Sequence, residues 1–409
     1  MKLIKLFFVF IYSTVSIAQE YSHYTEEEGL VNNSVNCISL TQEDHIWVGT
    51  NNGISFFDGS NWESFTVDNS PEMLSNSITA IYVASDSAVW VGTDFGLNVY
   101  DGENWISYNE SDGLGDDRVS YINEDENGII WVAEKDGLSK FDGSTWSSYG
   151  TAEGLPFGGL NHITFDSNNE LWLSNSIFGL IHFDGTEFTT YNTNSGILSN
   201  AVRSVAIDQN DTKWVGTAQG VSVLDADNQI VDHHTRMLIL PEPDTLNPVV
   251  DLKLDSQGNV WTGIYVDYLV TVGGVAAWNG ASWTGFTDEN DVLVGPVVRA
   301  LAINSNDEVW IATSTGLTKM TNSQLSVEEL YEMNSLSVFP NPASSTVHIQ
   351  SKSMIHSYRI VNLLGQTVLS KDKIDAKSSL ISVDKLPLGL YIVEVQSKTG
   401  YAKEFIAKE

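Results

Sequence analysis

Cysteine is almost missing from this sequence: the 409 residues include one, Cys37. No disulfide can form within the chain, so if it is exported it must be held by packing. Basic residues are also scarce, with 20 Lys and Arg against 53 Asp and Glu, a net charge of -33. Residues 334–409 hold nine basic and six acidic residues, leaving 11 and 47 for residues 1–333. So acidic a body repels phosphate, which argues against nucleic acid and anionic membrane as partners. Beyond the N-terminus no stretch approaches eighteen apolar residues, so no membrane span is expected. Gly-x-Ser-x-Gly, His-Glu-x-x-His and cysteine-based catalytic motifs are absent, and no catalytic residue is assigned. His233 and His234 are adjacent, so they project differently, and no carboxylate at ligand spacing accompanies them. No metal and no cofactor is expected.

Tryptophan, by contrast, is abundant and regularly placed. Trp47, Trp90, Trp131, Trp172, Trp214, Trp261 and Trp310 are separated by 43, 41, 41, 42, 47 and 49 residues. Each anchors a repeated phrase, first seen as Trp47-Val-Gly-Thr followed by Gly53-Ile, Asp58-Gly59 and Trp62. A period near forty with strand-like patterning predicts a propeller, one four-stranded blade per repeat. Nine residues before each anchor stands an apolar residue: Ile38, Ile81, Ile122, Ile163, Val205, Leu252, Leu301. Asp, Asn and Gly follow, residues that close hairpins with side-chain hydrogen bonds and positive φ. Trp62, Trp105, Trp146 and Trp283 mark outer strands, and Trp278 precedes a turn pair, so core packing accounts for all twelve tryptophans. Cys37 reads as a small core residue beside the first anchor.

Seven anchors predict seven blades. The spacing also predicts how the ring closes. Tyr21 precedes Trp47 by 26 residues, as Trp105 precedes Trp131, Trp146 precedes Trp172 and Phe188 precedes Trp214. The last repeat lacks a clear outer strand. Tyr21–Thr25 is therefore expected to complete the seventh blade and remove the open faces of a linear stack.

The repeat Trp-Val-Gly-Thr-x-x-Gly-Leu/Ile, Asp-Gly, Trp-x-x-Tyr, Gly-Leu resembles the two-component regulator propeller family over about residues 21–320. In that family the resemblance implies a periplasmic sensor of hybrid histidine kinases, often responding to glycans. The chain shows no membrane helix after the propeller and no kinase or receiver sequence, so that signalling route is not expected here. Streptogramin lyases share a seven-bladed propeller, but no matching motif is present, and fold analogy carries no activity.

The two ends differ from the repeats. Met1–Gln19 has Lys2 and Lys5, an apolar run from Leu6 to Val15, then Ser16-Ile17-Ala18. That is the order of a secretory signal peptide, with cleavage expected after Ala18. No cysteine follows the cut, which argues against a lipoprotein anchor. Residues 321–333 read as a linker. Residues 334–409 carry short alternating strands separated by Gly and Pro, expected to form a small immunoglobulin-like β-sandwich. Their order Phe339-Pro-Asn-Pro, Leu364-Gly-Gln, Leu386-Pro-Leu-Gly-Leu-Tyr391 resembles the type IX secretion C-terminal sorting domain. The resemblance implies type IX secretion machinery as a partner, delivery to the cell surface, frequent removal of the tail and attachment to surface lipopolysaccharide. The expected organisation is signal peptide 1–18, propeller 19–320, linker 321–333 and sorting domain 334–409.

Function on a regular scaffold tends to sit where the regularity breaks. Anchor to turn pair is 11 or 12 residues in repeats one to five but 18 from Trp261 to Asn279. The insertion carries Tyr265, Asp267 and Tyr268, and the preceding connection, about 231–247, is also long. Eleven residues before each anchor lies a second set: Asn36, Thr79, Ser120, Asn161, Arg203, Val250 and Arg299. In a propeller these line the channel mouth, where Arg203 and Arg299 offer forks for an anion and Asn36 and Asn161 offer amides. The expected function is a non-catalytic surface module binding a glycan or protein through this rim. The alternatives are a surface polysaccharide lyase or hydrolase using His233, His234 or Asp267, and a structural surface protein without a specific ligand.

Overall fold

The computed structural model describes residues 20–238, 247–265, 273–288, 292–321, 336–362, 367–371, 373–374, 376–397 and 400–409. They fall into two compact units, one on either side of residues 322–335. The described residues are all-β, with three single-turn 3₁₀ segments and no α-helix.

The first unit is a ring of seven four-stranded antiparallel sheets. The first blade runs Val35–Leu40, Ile46–Thr50, Gly53–Phe57 and Trp62–Phe65, from the channel outward. The remaining inner strands are Ile78–Val83, Val119–Glu124, Leu160–Phe165, Val202–Ile207, Val249–Leu254 and Val298–Ile303. The ring closes as the spacing predicts. Glu20–Tyr24 pairs antiparallel with Gly316–Thr321 and becomes the outer strand of the seventh blade. Its register is that of the other outer strands: Tyr24 faces Leu317 as Phe65 faces Ile54 and Tyr108 faces Leu97.

Local chemistry repeats with the strands. The turn residue three before each anchor adopts positive φ in all seven blades, from Asp44 at 63° to Asp307 at 59°. Asp, Asn and Gly tolerate this region best, and Ser87 is the departure, at 73°. Asp125, Asp166 and Asp255 each cap their turn through one carboxylate oxygen. The other oxygen accepts from the anchor indole, at 3.2, 3.0 and 3.1 Å from Trp131, Trp172 and Trp261. Each buried indole removes roughly 150–250 Å² from water, about 4–6 kcal/mol gross before entropy. The indole nitrogen needs an acceptor there, which these aspartates supply.

Blades are also tied to each other. Ser167, Ser256 and Ser305 donate through both backbone and hydroxyl to Asp211, Asp307 and Asp44 of the following blade. The pair Ser305–Asp44 joins blade seven to blade one with the same bond used elsewhere. Gly316 shows why the closing strand must fit closely. A Cβ there would lie 2.7 Å from the Tyr24 carbonyl, and its φ is 149°.

The second unit is a nearly closed six-stranded sheet. Thr346–Asn362 is long enough to serve both faces. Its first half pairs Ser337–Phe339 and Ala376–Ser382, its second half Thr367–Lys371 and Gly389–Ser397. Val347, Ile349, Ile360, Ile381, Val393 and Ile406 meet inside. Asn341 of the Phe-Pro-Asn-Pro stretch donates to the Phe405 carbonyl at 2.7 Å and accepts from the Ala407 N–H at 2.9 Å. That motif therefore fastens the last strand.

Candidate functional site

Every inner strand carries a β-bulge at its start, between the residues twelve and ten before the anchor. The extra residue, eleven before, is left out of the ladder, and a bulge re-aims its side chain. In blades one to four that side chain fastens the neighbouring blade. Asn36 Nδ2 donates to the Ile78 carbonyl at 2.8 Å and Thr79 Oγ1 to Val119 at 2.6 Å. Ser120 Oγ donates to Leu160 at 2.6 Å and Asn161 Nδ2 to Val202 at 3.0 Å. Asn36 and Asn161 thus use their amide N–H groups as clasps between blades.

The clasp changes in blades five to seven, which carry Arg203, Val250 and Arg299. The Arg203 guanidinium lies over the Tyr265 ring, 4.4 Å from its centroid. Arg299 Nη1 donates to Ser34 Oγ at 2.8 Å and Asn36 Oδ1 at 2.5 Å. Burial lowers the Arg299 pKa while Tyr265 works against that shift. Tyr265 follows Val260–Ile264, and its N–H donates to the Pro248 carbonyl at 2.7 Å. Of the three residues expected to form a ligand wall, Tyr265 is placed, and Asp267 and Tyr268 lie outside the described residues.

All seven ring residues line one cavity of about 580 Å³, the central channel. Sequence reasoning missed what lies one to three residues deeper. Position ten before the anchor is small in Cys37, Ala80, Ser204 and Ala300, but Tyr121, His162 and Asp251 break the pattern. Position eight adds Lys253. That departure from small residues was the available signal. Asp251 accepts from Ser204 Oγ at 3.1 Å, Leu301 N at 2.9 Å and Lys253 Nζ at 3.2 Å. Lys253 also approaches the Tyr121 ring of blade three, 5.9 Å from its centroid. Burial opposes the charge on Lys253, but Asp251 and Tyr121 raise its pKa above the ordinary lysine range.

Tyr121 in turn packs on His162, 4.2 Å between ring centroids. His162 is 6% exposed, and neither ring nitrogen has a hydrogen-bond partner among the described residues. Burial, assisted by Lys253, pulls its pKa down to about 3, so the ring is neutral at physiological pH. Among the described residues, the channel is lined by Arg203, Arg299 and Lys253 against Asp251 alone, inside a strongly acidic chain. Cys37 also lines it, and burial pushes its thiol up to about 12, which keeps it protonated at physiological pH.

The two adjacent histidines are placed differently from the expected long connection. Both belong to the outer strand Ile230–His234 of blade five. His234 takes the outer-strand aromatic position and sits among Trp214, Trp278 and Trp283 at 5.7, 4.8 and 5.4 Å. Among the described residues, Asp166, Glu170 and His182 form one close acidic-histidine set. Asp166 is occupied by Trp172, and Glu170 pairs with His182 at 2.7 Å, so these groups are structural partners.

An all-β ring with an export tail defines a secreted propeller, and comparison with known proteins supports that class. Residues 337–408 match the secretion system C-terminal sorting domain, and residues 29–52 match the two component regulator propeller. The protein is a seven-bladed propeller whose type IX sorting domain directs it to the cell surface or extracellular space. That tail implies contact with the secretion machinery. No helix among the described residues is long and apolar enough to cross a membrane.

No curated protein matches the chain in sequence. Solved structures do match in fold. One is PorZ, an essential bacterial surface component of the type-IX secretion system of Porphyromonas gingivalis, at 17% identity and TM-score 0.56. That match covers 93% of this chain but 60% of PorZ. Another is an inactive virginiamycin B lyase from Staphylococcus aureus with quinupristin, at 12% identity and TM-score 0.59, covering 74% of this chain and 99% of the lyase. A third is YCF48 bound to D1 peptide, at 13% identity and TM-score 0.54, covering 74% and 94%. At these identities the likeness extends to the fold.

Proposed function

We propose that this protein is a non-catalytic binding module of the cell surface that takes a glycan or protein ligand at the rim of blades five to seven. The observation that carries this reading is the change in the clasp. Four blades commit their bulge side chains to neighbouring carbonyls, whereas Arg203 lies over Tyr265 and Arg299 clasps blade one through Nη1 alone, so guanidinium and phenol groups stand at the mouth. Guanidinium forks and aromatic faces are the groups that bind carboxylates, hydroxyls and sugar or side-chain faces. Val249, where the long connection enters blade six, pairs with Ile264, and Ile264 pairs with Gly274, so the connection before blade six and the insertion within it open on the same rim. A signal peptide ending at Ala18, followed by propeller 19–320, linker 321–333 and sorting domain 334–409, completes the proposal.

The test is to display the full secreted protein on glycan and extracellular-matrix arrays. Reproducible binding that falls at least tenfold in Arg203→Gln or Tyr265→Ala is the expected result. Wild-type protein that binds nothing, or variants that bind as well as wild type, would overturn the reading.

A further inference from the structure

The channel below the mouth has a chemistry that the rim reading does not explain. Among the described residues, three of the few basic side chains of the propeller line it, with a single acid. That acid is saturated: Asp251 already accepts from Ser204, Leu301 and Lys253. Lys253 reaches from blade six to Tyr121 of blade three, two non-adjacent blades, so the contact crosses the channel. The crossing makes a floor. Beside Tyr121, His162 lines the cavity, buried, with neither ring nitrogen partnered among the described residues.

We infer that the channel above this floor is a site for a small sugar acid, with the carboxylate on Arg203 and Arg299 and a hydroxyl group at His162. Each part of the ligand answers a group that lines the cavity. Guanidinium groups bind a carboxylate through paired N–H donors. Among the described residues Arg299 commits only Nη1, leaving Nε and Nη2 available. A neutral imidazole offers one donor and one acceptor, and a hydroxyl group both accepts and donates, so a sugar hydroxyl satisfies it. The buried nitrogens otherwise lack what buried polar groups require. The cavity of about 580 Å³ falls within the range of about 300–1,000 Å³ for small-molecule sites. The acidic exterior selects against polyanions, whereas a solute with one negative charge meets less repulsion and net positive charge at its destination.

This inference concerns a small solute in the channel and shares only the mouth residues with the rim reading. The test is calorimetric titration of the full-length secreted protein with D-glucuronate, D-glucose and inorganic phosphate. Glucuronate is expected to bind at least tenfold more tightly than either control. Arg203→Gln should weaken it at least tenfold without moving the melting temperature. His162→Phe, which keeps a ring against Tyr121, should weaken it several-fold. Glucose binding as well as glucuronate would overturn the carboxylate assignment, and phosphate binding as well would reduce the site to a simple anion site. Undetectable glucuronate binding at millimolar concentration, or no effect of Arg203→Gln, would also overturn it. If array ligands still bind in any of these cases, the channel site is refuted while the rim reading stands.

Discussion

Lys253 of the sixth blade lies across the channel from its own sheet, with its ammonium 5.9 Å from the Tyr121 ring centroid of the third. The same ammonium is 3.2 Å from Asp251. One side chain thus ties together two blades that share no hydrogen-bonded edge. About a quarter of its side-chain surface is accessible (27%), and that surface opens into the channel.

Breaking this crossing should be costly on one side. Asp251→Ala strands the Lys253 ammonium and removes the acceptor for Leu301 N and Ser204 Oγ. A loss of about 3–5 kcal/mol is expected, the scale of a buried pair broken at one partner. Lys253→Met should cost less, because Asp251 keeps its backbone and hydroxyl donors. Urea unfolding of both variants checks the order, and equal losses would contradict it.

Tyr24 is expected to carry much of the closure. Its ring lies 5.6 Å from Phe57 and Trp62 of blade one and 5.6 Å from Trp310 of blade seven. Tyr24→Ala should destabilise the propeller by about 3–5 kcal/mol, the range for large aromatic truncation in a core. Chemical denaturation measures it. A loss no larger than for Ile106→Ala, an exposed outer-strand residue, would show that the closing strand is dispensable.

Glu134 gives a pH dependence. It is fully buried, and its Oε2 has no hydrogen-bond partner among the described residues. Burial raises the carboxyl from 4.5 to about 8. The folded state therefore holds this proton more tightly than the unfolded chain. The group's contribution is fully present below about pH 4.5 and is lost as pH rises through about 8. Across that window the group lowers stability by up to about 1.4 kcal/mol per pH unit. Glu134→Gln should raise the melting temperature near pH 8 and leave it unchanged near pH 4.5. Thermal melts from pH 4 to 9 decide it.

The C-terminal unit should fail in export when it fails to fold. Asn341→Ala removes both bonds to the last strand, at about 1 kcal/mol each. Deleting residues 334–409 is expected to abolish surface delivery, and Asn341→Ala to reduce it. Protease accessibility on intact cells reads both, and undiminished exposure of the deletion variant would contradict the assigned route.

Much of the ring was legible because its signals are local and repeated. A tryptophan every forty residues, an apolar residue nine earlier and a turn between them name strand, face and hairpin within one blade. The role of Tyr21–Thr25 was legible for the same reason, since its spacing matched outer strands elsewhere. His233 and His234 were misplaced onto a connection because they replace the Trp-x-x-Tyr texture of other outer strands, while packing among three tryptophans keeps the strand intact. The polar ring at the mouth was found by position, but its division into four carbonyl clasps and two guanidinium groups was not. Whether Asn36 donates to Ile78 depends on how closely the second blade approaches the first.

The sequence alone determined the number of blades, the closing segment and the export tail, because periodic burial and turn chemistry act over neighbouring residues. Only the tertiary structure decided what faces what across the channel. Tyr121 and Lys253 are 132 positions apart in the chain. Their meeting is set by the diameter of a seven-membered ring, a property of the whole circle that no single repeat contains.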